Sequence, residues 1–497
     1  MTDVLVSMSG FWPEVALTVA ILAVVLVDAS GLPKRHRLTH GVAVAGLLAA
    51  GGLVLVAPQS LGVLWHGMLA TDALSAFFKV LLIAASLLVL LAFTFRNSRE
   101  LSGLGQGEFY ALMLAATLAN LLLVSANDLL MLYLSLEMLS ITSYVLVAYM
   151  KGDRMSNEAS LKYVLFGAVS TGVMLYGLTL LYGMAGTTSL SGLREALSAG
   201  LTAGETRSAT VAVLLVIAGF GFKTASVPFH FWCPDVYQGA PTPVTAFLSV
   251  APKAAGFAVT LRFFFSGLSL PEGAPWALGG LIGWQGILML ISVVTMTVGN
   301  VAALTQTNMK RLLAYSSIAH AGYIMMGVVA LSENGARGLA VYLLAYLVMN
   351  LGAFLVVMLI HQETGSFDLR DYAGMYQRAP FLTLAMAVFL LSLMGIPPLV
   401  GFMGKLYVFA AIVEKGPGFW WYAVVGAVNA AVAAYYYARV LKTMIIDADE
   451  EARPALAIPA LDRAWVGAFA LANLLPLLFW SPIEAWVKGA LVLYAGR

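Results

Sequence analysis

Long stretches of apolar residues recur from one end of the chain to the other. An α-helix needs about 20 apolar residues to cross the hydrocarbon core of a bilayer, and most of these stretches reach that length. They lie near residues 11–31, 40–58, 72–95, 109–126, 128–150, 160–184, 208–238, 242–266, 277–300, 311–331, 337–361, 380–414, 419–445 and 464–483. The strands of a membrane barrel would be short and alternate in polarity, so the pattern predicts an all-α integral membrane protein with about 14 transmembrane helices.

Composition narrows the class of protein further. Hydrophobic residues make up 61% of the 497 residues and charged residues 10%, whereas soluble domains have about 25% charged residues. A soluble chain could not cover so much apolar surface, which excludes a cytosolic enzyme, a nucleic-acid-binding protein and a disordered regulator. Cys233 is the one cysteine, so a four-thiolate iron–sulfur cluster, a cysteine-based zinc site and an internal disulfide are excluded. We expect any linked redox chemistry to lie on other chains.

The basic residues of the loops predict how the chain is oriented. Loops after odd-numbered runs contain 15 Lys and Arg, among them Arg96, and the opposite face contains 6, among them Arg497. Because cytoplasmic loops hold the excess of basic residues, we expect the odd-to-even loops in the cytoplasm and both termini in the periplasm.

Two runs exceed 30 residues and contain helix-breaking residues. Run 208–238 includes Pro228 and Pro234, and run 380–414 includes Gly395, Pro397 and Pro398. Interior proline removes a backbone hydrogen bond, and the freed carbonyl is tolerated in a membrane only where protein or water covers it. Paired broken helices indicate an ion pathway, although packing also tolerates single proline kinks. A lysine beside each break, Lys223 and Lys405, favours the pathway.

Several charged residues lie deep inside the predicted spans. Glu137 lies near the middle of the fifth run, Lys162 in the sixth and Lys253 near the middle of the eighth. A charge at mid-bilayer costs at least about 2.5–3.5 kcal/mol. A Glu137–Lys162 salt bridge that only holds two helices together is one interpretation. Function is the other, and it is favoured because deep lysines outnumber the one deep carboxylate. Lys79 and Arg262 lie nearer to span ends, where we expect them to snorkel.

Amines in such surroundings are suited to proton transfer. Burial moves the pKa of a lysine towards neutrality, and a nearby carboxylate stabilises the charged form, so moving that carboxylate loads or unloads the amine. His230, after the first break, and His320, in the tenth run, are candidate relays, because imidazole titrates near neutrality. Each is also compatible with a neutral packing role. No cluster of His, Asp and Glu has the spacing of a metal site.

Five stretches resemble the antiporter-like proton-translocating subunits of respiratory complex I, the NADH:quinone oxidoreductase. The resemblance covers residues from about 105 to 445. The stretches are NDLLMLYLSLEMLSITSYVLVAY, EASLKYVLFGAVSTGVMLYGLTLLYG, GFGFKTASVPFHFWCPDVYQGAPTPVTAFLSVAPKAAGF, NVAALTQTNMKRLLAYSSIAHAGY and SLMGIPPLVGFMGKLYVF. Within the family, lysine at the position of Lys405 resembles the N-type subunits, whereas the M type has glutamate there. The L type is disfavoured because its long C-terminal lateral helix has no counterpart here.

The resemblance implies a fold and a domain division. It implies two five-helix repeats of inverted topology, helices 4–8 and 9–13, with broken helices 7 and 12. The expected segments are 1–104 with three helices, 105–266 and 267–445 with one repeat each, and 446–497 with the last helix and tail.

The resemblance also implies the roles of the residues and the partners. Lys223 and Lys405 belong to two half-channels, Lys253 links them, and Glu137 with Lys162 forms a charge pair facing a neighbouring subunit. The chain is then a non-redox subunit of a translocase in the bacterial inner membrane. It binds no cofactor itself, while FMN, iron–sulfur clusters, NADH and quinone belong to partner subunits. The expected partners are M-like and K-like neighbours, the lateral helix of an L-like subunit, and lipids.

Two alternatives stay open from the sequence. A subunit of a Mrp-type cation/proton antiporter shares nearly all of this chemistry. A structural membrane subunit would use the buried charges only to hold helices together.

Overall fold

The computed structural model describes residues 2–57, 62–93, 98–198, 202–268, 283–448, 453–474, 476 and 478–491. Arg96, Arg497 and residues 277–282 of the ninth predicted run lie outside this part of the chain. The described part is helical apart from one short hairpin, in which Gly62–Leu64 (β1) pairs antiparallel with Leu69–Thr71 (β2).

Twenty α-helices are present in the described residues. They are α1 Thr2–Gly10, α2 Trp12–Ala29, α3 Arg35–Val56, α4 Ala73–Ala92, α5 Gln106–Ser125, α6 Leu129–Val147, α7 Arg154–Ala185, α8 Leu190–Ser198, α9 Ala203–Thr224, α10 Trp232–Gly239, α11 Thr242–Arg262, α12 Trp284–Ala303, α13 Met309–Val329, α14 Glu333–Thr364, α15 Met375–Arg378, α16 Pro380–Met394, α17 Val400–Val413, α18 Pro417–Ile445, α19 Ala460–Leu474 and α20 Trp480–Leu491. A π-helical turn, Phe263–Gly267, extends α11.

Among these, 12 helices are long and apolar enough to cross a membrane: α2 to α7, α9, α11 to α14, and α18. The prediction of a multi-pass helical membrane protein is therefore confirmed. The last predicted run, 464–483, is not one helix, because α19 ends at Leu474 and α20 begins at Trp480. Pro476 lies between them, where its missing N–H and its ring oppose a continuous helix.

Short polar side chains begin several of these helices. Asp72 accepts a hydrogen bond from the Ser75 N–H and starts α4, and Asp153 accepts from the Ser156 N–H and starts α7. Asn308 does the same for α13 through the Arg311 N–H. Each cap satisfies an amide that has no partner within the helix, so it fixes where the span begins.

Both long runs are interrupted as predicted. Run 208–238 divides into α9 and α10 across residues 225–231, and run 380–414 divides into α16 and α17 across 395–399. The residue that ends the first half has a left-handed backbone in both, Ala225 with φ 58° and Gly395 with φ 85°.

The loops collect on two opposite faces. The loops after α4, α6, α10, α12 and α14 line one cavity, through residues such as Glu100, Asp153 and Asn308. On the other face, Asn127 receives a hydrogen bond from the Leu190 N–H and donates its own N–H to the Met68 carbonyl. The loops after odd-numbered and even-numbered predicted runs therefore separate, as the helix order requires.

The centre of the molecule is α11, whose most apolar stretch is 100% buried, with α13 at 94% and α14 at 89%. The outer helices α2, α3 and α18 bury only 28–33% of theirs. Their exposed faces carry apolar side chains such as Leu26, Leu55 and Val428, as expected where the solvent is lipid.

Candidate functional site

Lys223 lies in the last turn of α9, immediately before the first break. Its Nζ donates to the Ser140 hydroxyl of α6 at 3.4 Å. Glu137 lies one turn earlier on α6 than Ser140. The stem of Lys223 packs against α11, because a Cβ at Gly256 would lie 3.3 Å from the Lys223 Cγ. Gly256 is one turn beyond Lys253, so the two lysines lie on neighbouring helices at adjacent levels.

Lys253 occupies the middle of the fully buried α11 and is directed towards α13. Its Nζ donates to the Ser317 hydroxyl at 2.5 Å and to the Ser317 carbonyl at 3.2 Å. The ring of Tyr237 on α10 lies 5.6 Å from the same nitrogen. The amine therefore contacts oxygen atoms and an aromatic face but no carboxylate among its described partners.

His320 follows Ser317 by one turn of α13 and lies between Lys253 and Lys405. Its Nδ1 is 2.9 Å from the Tyr342 hydroxyl, and its Nε2 is 3.3 Å from the Tyr437 hydroxyl. Lys253 binds Ser317, one turn before His320, and Lys405 lies over the ring of Tyr323, one turn after it. The structure thus places His320 in the line of amines, and its role as a relay stays a prediction.

Lys405 lies on α17, after the second break, and its side chain points back towards the break. Its Nζ donates to the Leu393 carbonyl at 3.1 Å and the Met394 carbonyl at 2.8 Å, at the C-terminal end of α16. That helix end has a negative partial charge, which stabilises a cation. The ring of Tyr323, on the same helix as His320, lies 5.0 Å from the amine. Lys223, Lys253, His320 and Lys405 therefore form one line through the core, which we call the midline chain.

The predicted pairing of Glu137 with Lys162 is wrong in this structure. Lys162 binds Asp235 of α10 at 2.7 Å and Glu158 at 2.8 Å. The register of α6 against α7 explains the difference, since Ser156 donates to the Val147 carbonyl and Ser160 to the Tyr144 carbonyl. This register places Glu137 opposite a point five residues beyond Lys162, about 7.5 Å along the helix.

His230 lies within the first break and is buried. Its described ring contact is with Phe231, at 4.4 Å between ring centroids, and its Nδ1 has no hydrogen-bond partner. The described contacts do not join it to the midline chain.

Lys79 and Arg262 do not snorkel, which corrects the prediction for both. Lys79 forms a buried ion pair with Glu14 at 2.7 Å, so Glu137 is not the one deep carboxylate. Arg262 binds both oxygens of Asp72, at 2.7 and 2.8 Å. Burial would raise the pKa of Asp72, but Arg262 and the Ser75 groups outweigh it and lower the pKa to about 2. The partners lie far away in sequence, so local position could not identify them.

Asp235 and the hydroxyl groups around the amines are the residues that sequence reasoning missed. Asp235 joins Lys162 to Arg311, whose Nη1 lies 2.5 Å from its other oxygen. Ser140, Ser317, Tyr342 and Tyr437 contact the midline chain directly. Their signal in the sequence is weak, because hydroxyl groups are common in membrane helices. Within the described residues, no group of three His, Cys, Asp or Glu side chains could hold a metal ion.

Comparison with known proteins agrees with the geometry. The family model described as NADH:quinone oxidoreductase/Mrp antiporter, TM, matches residues 126–430. NADH-quinone oxidoreductase subunit N from Anaeromyxobacter is 47% identical to the chain over 509 residues, which cover 98% of both proteins. The chain belongs to the subunit N family of NADH-quinone oxidoreductase. The N-type prediction from Lys405 is therefore confirmed.

Solved structures place the subunit N family in its wider fold. A chain of respiratory complex I from Thermus thermophilus matches with a TM-score of 0.78 and 34% identity, covering 96% of this chain and 99% of that one. A chain of the Mrp complex from Dietzia matches with a TM-score of 0.81 but only 19% identity, covering 98% of both chains. The second match shows that the fold is shared with Mrp complexes, so the fold alone does not separate the two families. The identity to subunit N does.

Proposed function

We propose that this chain translocates protons as a membrane subunit of NADH:quinone oxidoreductase, while electrons move in other subunits. The observation that carries the proposal is the midline chain: three buried lysines and a histidine in sequence, two of the lysines beside interrupted helices. Each amine donates hydrogen bonds to hydroxyl or carbonyl oxygens of the protein. These oxygens solvate the amine, and no carboxylate among its described partners contacts it.

A proton moves along such a line when each group accepts one from its neighbour and releases another. The neutral amine of Lys253 accepts a proton on Nζ, and Ser317 and His320 offer the next positions towards Lys405. The buried hydroxyls of Tyr144, Tyr237 and Tyr346 make no hydrogen bond of standard geometry with the described residues, and they lie along the same elements. Buried polar groups of this kind are normally satisfied by water, which would join the separate contacts.

Glu137 controls the loading of Lys223 in this proposal. Its charge stabilises the protonated amine, and a change in its surroundings alters the proton affinity of Lys223. Lys162, held by Asp235 and Glu158, lies about five residues away along α7 and supplies a second charge at the same surface. Glu137 and Lys162 thus face the partner subunit with two charges that need not contact one another. His230 stays a candidate relay beside the break.

The finer architecture belongs to the same proposal. The 12 long helices, the broken pair α16–α17 and the short α19 would give fourteen spans. Repeats of α5 to α11 and α12 to α18 would then correspond to 105–266 and 267–445, between segments 1–104 and 446–497. The helices α9 and α16 end in the same way, at a residue with a left-handed backbone that lies close to a lysine, and this similarity supports the inverted repeat.

We place the chain in a bacterial inner membrane with periplasmic termini, among M-like, K-like and L-like subunits. FMN, iron–sulfur clusters, NADH and quinone would be bound by partners.

The test is alanine substitution in the assembled complex, reconstituted in vesicles. Lys223→Ala should lower NADH-driven proton uptake more than about tenfold, because positioned proton-transfer groups contribute factors of about 10²–10⁴. Lys151→Ala is the matched control, since that lysine is 83% exposed. Normal proton uptake by an assembled Lys223→Ala complex would favour a purely structural subunit. Sodium-dependent proton exchange by a flavin-free complex would favour the Mrp alternative.

A further inference from the structure

A cavity of about 490 Å³ with a mixed polar and apolar lining opens between the loops after α4, α6, α10, α12 and α14. Asp153, Gln238 and Asn308 are among the polar residues that line it, and Glu100 and His361 lie at its wall. A water molecule occupies about 30 Å³ in the liquid, so the cavity has room for many. None of the residues of the midline chain lines it. In the orientation proposed above, it faces the cytoplasm.

Glu100, at the wall of this cavity, forms a buried ion pair with Lys310. Lys310 Nζ lies 3.1 Å from Glu100 Oε1, and the two side chains are 0% and 9% exposed. Beside them, the ring of His361 stacks on Phe367 at 3.8 Å, and its buried Nδ1 makes no hydrogen bond of standard geometry within the described part of the chain. Ionisable groups are therefore concentrated where the cavity ends and the packed interior begins.

The ion pair contacts the start of α11 directly. Glu100 Oε2 accepts a hydrogen bond from the Thr242 N–H at 2.7 Å. Lys310 Nζ donates to the Ala240 carbonyl at 2.6 Å, and the Thr245 hydroxyl donates to the same carbonyl at 3.4 Å. A continuous set of polar contacts thus leads from the cavity wall to the first turn of α11.

From there a polar stripe follows α11 to Lys253. Thr242, Thr245, Ser249 and Lys253 are three or four residues apart, so they lie on one face of the helix. The Ser249 hydroxyl accepts from Asn350 Nδ2 at 2.5 Å, while Asn350 Oδ1 and Thr242 Oγ1 are buried and have no hydrogen-bond partner among the described residues. Thr242 and Lys253 are 11 positions apart, or about 16 Å along the helix, and water that satisfies these atoms would bridge its turns.

We propose that this cavity is a proton-uptake mouth, and that Glu100 and the stripe Thr242–Thr245–Ser249 conduct protons from it to Lys253, while Lys310 holds Glu100 in position. The route enters the midline chain at its central lysine rather than at Lys223. A proton leaves water in the cavity and binds the Glu100 carboxylate, and each following hydroxyl or water accepts one proton and releases another. One proton reaches the neutral Lys253 amine, no electron moves and no group is consumed. This inference rests on the proposed function.

The test removes the hydroxyls of the stripe in the assembled complex. Thr245→Val combined with Ser249→Ala should lower proton uptake per NADH at least threefold in vesicles, whereas Thr245→Ser should retain it. Thr260→Val is the matched control, because Thr260 is buried on the same helix but beyond Lys253. Glu100→Gln should lower proton uptake in the same way, provided that native gels show normal assembly.

Lys253→Ala separates this inference from the proposed function. If Lys253→Ala stops pumping and the double variant pumps normally, the uptake route is wrong while proton translocation through the chain stands. If Lys253→Ala itself pumps normally, protons do not pass through the midline chain. The proposed function is then wrong, and so is an uptake route that ends at Lys253. A loss in Thr260→Val equal to that in the double variant would show that the hydroxyls matter only for packing, which also overturns the route.

Discussion

At the scale of single residues, the buried basic groups fall into two kinds. Lys253 and Lys405 contact carbonyl or hydroxyl oxygens, whereas Lys79 and Arg262 contact carboxylates at 2.7 Å. A contacting carboxylate stabilises the protonated form strongly and holds the charge in place. Neutral oxygens stabilise it less, so the proton can leave. The distinction separates amines suited to transfer from those suited to holding helices together.

The Asp72–Arg262 pair should have a large effect on stability. Asp72→Asn removes the carboxylate charge that lies 2.7 Å from the Arg262 guanidinium, which is 2% exposed. Breaking one side of a buried pair costs about 3–5 kcal/mol, so the thermal midpoint of the complex should fall. The control is Asp447→Asn, because the Lys442–Asp447 pair is 61% and 37% exposed and an exposed pair contributes less than about 1 kcal/mol. Equal midpoints for both variants in a thermal unfolding assay would contradict the assignment.

At the scale of elements, the broken helices are the part that sequence predicted best. Proline and glycine inside long apolar runs located both breaks, because their backbone chemistry acts wherever the chain goes. The partners of Lys162 could not be predicted in the same way. They depend on the α6–α7 register and on the packing of α10 against α7. This packing brings Asp235 to Lys162, although the two residues are 73 positions apart in the chain.

The end of α16 should tolerate no side chain at Gly395. An added Cβ would lie 2.7 Å from the Lys405 Cδ, and the φ of +85° disfavours any L-residue. Gly395→Ala should therefore displace the Lys405 amine from the Leu393 and Met394 carbonyls and lower proton uptake in vesicles.

Gly416→Ala is the matched control for this substitution. Gly416 has a φ of +101° and nothing within 4 Å of an added Cβ, so it tests backbone strain alone. We expect a backbone strain of about 1 kcal/mol in both variants. We expect a loss of pumping only in Gly395→Ala. A similar loss in both would show that Lys405 is not the cause.

At the scale of the whole molecule, the helix order sorts the loops onto two faces and puts α11 at the centre. Because α11 is buried on every side, its polar residues meet protein from all directions, and both the midline chain and the proposed uptake route pass through it. The lipid-facing helices can vary in detail without altering this arrangement. The proposed pathway therefore depends on the packing of a few central helices.

The orientation of the molecule can be tested with single cysteines. Gly152→Cys, on the α6–α7 loop, should react with a membrane-impermeant maleimide only in inside-out vesicles. Ser191→Cys, in α8 on the other face, should react only in right-side-out vesicles. Cys233 is buried and serves as the unreactive background. Labelling of both positions from the same side would contradict the alternation of the loops, and reversed labelling would contradict the periplasmic termini.

The sequence by itself determined what depends on composition and local chemistry: a helical membrane protein, the positions of most of its spans and of both breaks, and the residues whose burial demands an explanation. Length and hydropathy decide insertion, and proline and glycine act on the backbone at their own positions. Only the tertiary structure decided the partners, namely Asp235 for Lys162, Asp72 for Arg262, Glu14 for Lys79 and Ser317 for Lys253. These pairs join residues far apart in the chain, and helix packing and register, which no local pattern encodes, bring them within reach.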